Sequence, residues 1–221
     1  MSTEWTTIAT AELEDADLVL QQRGLDFLIW FDERVLMNSF SRSSEEQLST
    51  LALAAIAPCA APRILIGGLG MGFTLRAALD GLPAAGRVTV AELNQVIVDW
   101  CEGPLAAATD HALVDPRVTL TIGDVANVIA AAAPGSLDAI ILDLYEGPFD
   151  ELQGRTDPFY SASAIARQRQ ALSPTGVLAV WAEAEDPPYA VRLASGGFEV
   201  ALHSISSGEA CHVVYVARAR N

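Results

Sequence analysis

The sequence predicts a mostly parallel α/β sheet with helices on both faces. A C-terminal antiparallel hairpin closes the sheet, and a small antiparallel β element precedes it. Three observations predict this. Short apolar runs alternate with helical patterns from Arg63 onward, glycines fill the gap between the first such strand and its helix, and Ser206-Ser207-Gly208 separates the last two strands. Strand–helix alternation builds a parallel sheet through right-handed crossovers, whereas a short polar link containing glycine joins antiparallel neighbours.

The elements follow in order. Leu18-Val19-Leu20, Phe27-Leu28-Ile29-Trp30-Phe31 and Val35-Leu36-Met37 are β-type runs, and Gly24 and Asp32-Glu33 punctuate them as hairpin turns do. Residues 1–42 are therefore expected to form a small N-terminal β element, and 43–221 a Rossmann-like domain. Ser43 and Glu46 match a capping box ahead of a helix carrying Leu48, Leu51 and Ala55 on one face and ending before Pro58. Strands are predicted at Ile64–Ile66, Arg87–Ala91, Val118–Ile122, Leu137–Leu142 and Val177–Trp181, then Phe198–His203 and His212–Val216. The intervening helices are predicted near Phe73–Leu79, Gln95–Trp100, up to Ala133, Pro158–Leu172 and Tyr189–Ala194.

The 221 residues suit one α/β domain with a small addition, and 51% hydrophobic with 19% charged residues marks a globular chain. The longest apolar stretch, Leu51–Ala57, is far below the ~20 residues of a spanning helix, so no membrane role is expected. Met1-Ser2-Thr3-Glu4-Trp5 has neither a basic start nor an apolar core, which predicts no secretory signal. Cys59, Cys101 and Cys211 form no CxxC pair, and the spacing of His111, His203 and His212 is not that of metal ligands. Reduced thiols, a cytoplasmic location and no metal are expected. The net charge of −15 argues against a nucleic-acid partner, which needs cations to neutralise phosphates. It permits a cationic small molecule such as an amine, although solvated surface acids account for it equally.

Four places carry chemistry. Gly67-Gly68-Leu69-Gly70-Met71-Gly72 lies between a strand and a helix, where glycines let the backbone approach a ligand and the helix N-terminus offers N–H groups to an anion. Glu92, followed by Leu93, ends the second strand 20 residues after Gly72, the position from which an acid accepts bonds from a ribose diol. Gly123-Asp124-Val125 ends the third strand. Asp124 there can accept from an adenine amino group, cap the next helix, or do both. Asp143 ends the fourth strand in Asp143-Leu144-Tyr145-Glu146, placed to orient an amine or take its proton, with Glu146 and Asp150 adding negative potential. The alternative for this last group is a loop of ordinary surface acids.

The order Ile64-Leu65-Ile66-Gly67-Gly68…Leu75-Arg76, Val90-Ala91-Glu92-Leu93, Asp115-Pro116-Arg117-Val118…Gly123-Asp124 and Ile140-Ile141-Leu142-Asp143 resembles the spermidine/spermine synthase family over roughly residues 25–185. The resemblance implies the class I methyltransferase fold, a small N-terminal β domain, and S-adenosylmethionine or its decarboxylated form as donor. It further implies Glu92 on the ribose, Asp124 on the adenine, Asp143 on the acceptor amine with Tyr145 and Glu146 beside it, and a homodimer. Glu146 matches the family's second acid. Met71 stands where the family carries the aspartate for the donor's aminopropyl ammonium, Ser44-Glu45-Glu46-Gln47 replaces a tyrosine–histidine signature, and Trp181-Ala182-Glu183 replaces a glutamine. A desolvated ammonium needs a carboxylate partner, so Met71 favours methyl transfer over aminopropyl transfer. The acidic loop keeps the latter open. A non-catalytic nucleoside-binding protein and a nicotinamide-dependent oxidoreductase are the alternatives from other classes.

Overall fold

A computed structural model describes residues 4–13, 17–144, 147–148, 157–207 and 210–220. Strands β1 (Thr6–Glu12), β2 (Asp17–Arg23), β3 (Asp26–Phe31) and β4 (Arg34–Asn38) form an antiparallel sheet in sequential order. Gly24 and Asp32 take positive φ at its turns, and Asp32 Oδ1 also accepts the Asp17 N–H at 2.9 Å. Strand β1 is absent from the sequence-based expectation. Its Thr-Thr-Ile-Ala-Thr-Ala-Glu run is mostly exposed along the sheet edge, so no apolar pattern marks it.

The second sheet has seven strands: β5 (Arg63–Gly67), β6 (Arg87–Glu92), β7 (Val118–Ile122), β8 (Leu137–Leu142), β9 (Leu172–Ala182), β10 (Phe198–Ser207) and β11 (Ala210–Ala219). Their spatial order is β10-β11-β9-β8-β5-β6-β7. Pairs β5/β6, β6/β7, β5/β8 and β8/β9 are parallel, and β11 runs antiparallel to both β9 and β10. The chain reverses its direction of build between β5 and β8, and ligands of open α/β sheets bind at such a switch point beyond the carboxyl ends of the strands.

Alternation along the strands supplies both faces. Ile64, Ile66, Val88, Val90 and Ile141 enter one core cluster, while Leu65, Ala91, Ile140 and Leu142 enter the other. Helices α1 (Ser43–Ala55), α2 (Phe73–Gly81) and α3 (Gln95–Glu102) contribute to the first cluster. Helices α4 (Val125–Ala131), α5 (Ala162–Ala171) and α6 (Pro187–Ser195) contribute to the second. Leu18, Leu20, Phe27 and Ile29 of the small sheet join the first cluster, so that sheet roofs the face carrying α1. No helix among the described residues is long and apolar enough to cross a membrane.

Two local expectations are corrected. The Ser43–Glu46 capping box does not form: Ser43 is already helical, Arg42 holds the cap position without a side-chain cap, and Glu46 instead pairs with Arg42 Nε at 2.9 Å. The helix expected from Pro158 begins at Ala162. The Asp157 carboxylate takes the Phe159 N–H, and Ser161 caps α5 through the Ala164 N–H.

Candidate active site

The glycine loop crosses the tip of β8. Gly68 has φ +83°, and a Cβ there would lie 2.3 Å from the Asp143 carbonyl oxygen. Backbone bonds continue the ladder past the strands: Gly68 N–H donates to Ala91 O at 2.9 Å, Asp143 N–H to Gly67 O at 2.9 Å, and Gly123 N–H to Glu92 O at 2.8 Å. Four strand tips are thereby held in one rim. Gly68→Ala combines a disfavoured backbone angle with a clash against backbone, which cannot rotate away. It should lower the unfolding free energy by more than ~2 kcal/mol. Gly24→Ala, with φ +62° but nothing within 4 Å, should cost about 1 kcal/mol. Parallel chemical denaturation of the two variants checks this ordering.

Glu92 is 7% exposed and ties the rim together. Its Oε2 accepts the Leu69 N–H at 2.8 Å and its Oε1 the Asn94 N–H at 2.9 Å. Each oxygen keeps a lone pair for one further donor. Asp124 caps α4 by accepting the Ala126 N–H at 2.8 Å, and it also faces the cavity.

That cavity measures about 580 Å³ and lies between the strand tips and the small sheet. Gly68, Gly70, Glu92, Leu93, Gly123, Asp124, Val125 and Asp143 line it. Of the remaining loop residues, Leu69 and Met71 are buried at 3% and 0% exposure and support the loop from below. The Gly67 and Gly72 backbones complete it. Gly67 caps the Asp143 N–H, and the Gly72 N–H closes the turn on Leu69 O at 2.8 Å. Tyr145 and Glu146 lie outside the described residues, as does Asp150. The Asp115-Pro116-Arg117 stretch does not reach the cavity. Asp115 pairs with Arg117 at 2.9 Å, which holds its carboxyl down at about 2, and Arg117 Nη1 reaches Leu82 O at 3.0 Å as a structural clamp. A second depression of about 720 Å³ beside α1 and α2 shares no residue with the strand-tip cavity.

The structure adds wall residues that the sequence pattern missed. Leu18, Ile29, Phe31, Leu36 and Met37 come from the small sheet, Glu45 from α1, and Asp157, Tyr160 and Trp181 from the second half of the chain. The signal for Met37 was absent because its role rests on a cross-sheet contact: its Sδ accepts the Met71 N–H at 3.1 Å. Glu45 was legible only as one of two adjacent acids in the Ser44–Gln47 stretch, of which Glu46 was the one assigned to a cap. Cys101 Sγ donates to Gly70 O at 3.2 Å, and burial pushes its thiol up to about 12, so it serves the loop and not as a nucleophile.

Asp143 is half-buried by its surface exposure, and its Oδ2 accepts the Thr74 hydroxyl. Burial, reinforced by the charge of Glu45 and opposed by the Thr74 bond, raises its carboxyl from 3.8 to about 7. Glu45 is itself 8% exposed and shifted upward, chiefly by burial. None of the ion pairs among the described residues involves either acid, and no arginine among them lines the cavity.

Comparison with known proteins fits this geometry. The chain is 39% identical over 125 residues to putrescine N-methyltransferase 1 of Nicotiana tabacum, covering 55% of this chain and 30% of that protein. It is 33% identical to spermidine synthase 1 of Pisum sativum over the same length, 34% of that protein. The chain thus spans about a third of the curated relatives it matches. The crystal structure of spermidine synthase from Thermotoga maritima superposes with a TM-score of 0.74 at 18% identity, covering 96% of this chain and 72% of that one. The chain shares its fold with that spermidine synthase. No family model matches it. A spermidine synthase solved with the transition-state analogue AdoDATO superposes at a TM-score of 0.72, covering 96% of this chain at 18% identity. Within this spermidine synthase-like frame, the antiparallel β10–β11 closure separates the fold from a sheet built of βαβ units throughout.

Proposed function

We propose that the chain is a transferase that alkylates a small amine from an S-adenosyl sulfonium donor, with S-adenosylmethionine as the donor and methyl as the group. One observation carries the reading. The buried Glu45 and half-buried Asp143 carboxylates face a cavity that no arginine among the described residues lines, beside the Glu92 and Asp124 carboxylates at the neighbouring strand tips. Uncompensated buried acids call for a cation. An amine supplies one as its ammonium.

In this reading Glu92 accepts the ribose hydroxyls on its free lone pairs and Asp124 takes the adenine amino group. Asp143 orients the acceptor nitrogen and receives its proton. The nitrogen lone pair forms the new C–N bond as the C–S bond breaks, and that electron pair leaves on sulfur as the neutral thioether. Positioning the two reactants supplies most of the acceleration.

Methyl transfer is favoured at the loop. Met71 is buried, and among the described residues its N–H is met by the weakly accepting Met37 thioether, which a carboxylate displaces readily. S-adenosylmethionine brings such a carboxylate, whereas the decarboxylated donor ends in an ammonium there. Aminopropyl transfer remains the second reading, because the Asp143–Glu45 acids suit an ammonium on either reactant. The relatives named for both reactions support the shared chemistry. Thermal-shift titration with both donors tests the choice: S-adenosylmethionine should raise the Tm, and a response confined to the decarboxylated form would reverse it. Donor binding without methylation across an amine panel would instead support a nucleoside-binding protein.

A further inference from the structure

Glu45 is in an unusual position for a residue in the first turn of a helix. Acids there are stabilised by the helix dipole while remaining exposed. Glu46 does this, paired with Arg42 at the surface. Glu45 turns inward, to 8% exposure, and lines the strand-tip cavity. Its Oε2 accepts the Ser44 hydroxyl at 2.6 Å, which leaves most of its acceptor capacity unspent. Thr74 joins it to Asp143: the Thr74 hydroxyl donates to Asp143 Oδ2 and lies 3.4 Å from the Glu45 carbonyl oxygen.

His212 lies near enough to Glu45 to favour its ionised form, but no hydrogen bond joins them through Nδ1, which is buried without a partner among the described residues. The His212 ring instead lies 5.0 Å from that of Trp181. Trp181 also lines the cavity, and its Nε1 is buried and unpartnered among the described residues. Two acids and an indole thus line one cavity with hydrogen-bonding capacity to spare. A carboxylate beside an aromatic face is the environment an ammonium occupies.

We propose that Glu45 binds the acceptor: its carboxylate, presented by the first turn of α1, holds the ammonium of the amine against Asp143, with Trp181 as the aromatic side of the same subsite. This rests on the amine-transferase reading above. It assigns a second acid, from outside the strand tips, to substrate selection. Removing the charge should weaken the amine and spare the donor, because Glu92 and Asp124 belong to other elements, the end of β6 and the cap of α4.

The test uses the full chain with putrescine as the probe amine. Glu45→Gln should raise the KM for putrescine tenfold or more, with the Kd for S-adenosylmethionine within twofold of wild type and the Tm no lower. Glu45→Asp, which keeps the charge on a shorter arm, should recover part of the loss. An unchanged putrescine KM in Glu45→Gln overturns the assignment. So does an equal loss of donor affinity, which would make Glu45 a support of the loop. Wild-type chain that binds S-adenosylmethionine but no putrescine also overturns it, while leaving the donor reading intact. Failure of wild type to bind either donor brings down both.

Discussion

Asp143→Asn should cut turnover by 100-fold or more at pH 8 and, in the same molecule, make the ligand-free protein more stable. The loss follows from removing the group that takes the acceptor's proton, a step worth roughly 10²–10⁴ in rate. The gain follows from the carboxyl's shift from 3.8 to about 7. The folded protein holds this proton more tightly than the unfolded chain, so stability falls as pH rises from about 4 to about 7. It then stays reduced at higher pH. Three units correspond to on the order of 4 kcal/mol as an upper bound. Asparagine keeps an oxygen for the Thr74 hydroxyl and carries no charge to desolvate. Its Tm should exceed wild type by several degrees at pH 8, and the difference should vanish toward pH 4. Calorimetry at the two pH values reads one half of this result and initial rates the other. Full activity in the variant removes Asp143 from the chemistry. A pH-independent Tm difference removes the buried-charge argument.

Glu92→Ala is the second large effect, with the opposite sign for stability. The Glu92 carboxylate satisfies the N–H groups of Leu69 and Asn94 as well as facing the cavity. Alanine leaves both donors without it at a buried rim, at about 1–3 kcal/mol each. The Tm should fall, and donor affinity, measured well below the new Tm, should drop tenfold or more through lost charge-assisted bonds. Glu92→Gln keeps one accepting oxygen and should fall between. Donor binding at wild-type strength in Glu92→Ala would dissociate the acid from the ribose and leave it as a loop strut.

Most of the parallel sheet was legible, because its central strands are buried and read as apolar runs. Leu137–Leu142 and the part-exposed edge strand Val118–Ile122 were bounded to the residue. Other polar or exposed segments were not. Strand β1 has little apolar signal, and β9 begins five residues before its apolar run, where Leu172 pairs with Leu137. Asp143 and Glu92 were legible because they stand where buried strands stop, and a charge at that boundary marks a strand tip. Glu45 and Glu46 are adjacent acids that local pattern cannot tell apart, and neither forms the cap expected there.

By itself, the sequence determined the alternation of strands and helices, the glycine loop and the acids at three strand tips. Each depends on neighbours a few residues away. Only the tertiary structure decided that the N-terminal sheet closes over those tips and that α1 turns Glu45 inward to face Asp143, 98 residues downstream. Only it showed that Met37 covers the Met71 N–H. The physical reason is that burial and charge coupling arise between elements distant in the chain, and no local period records which face of a helix another sheet will cover.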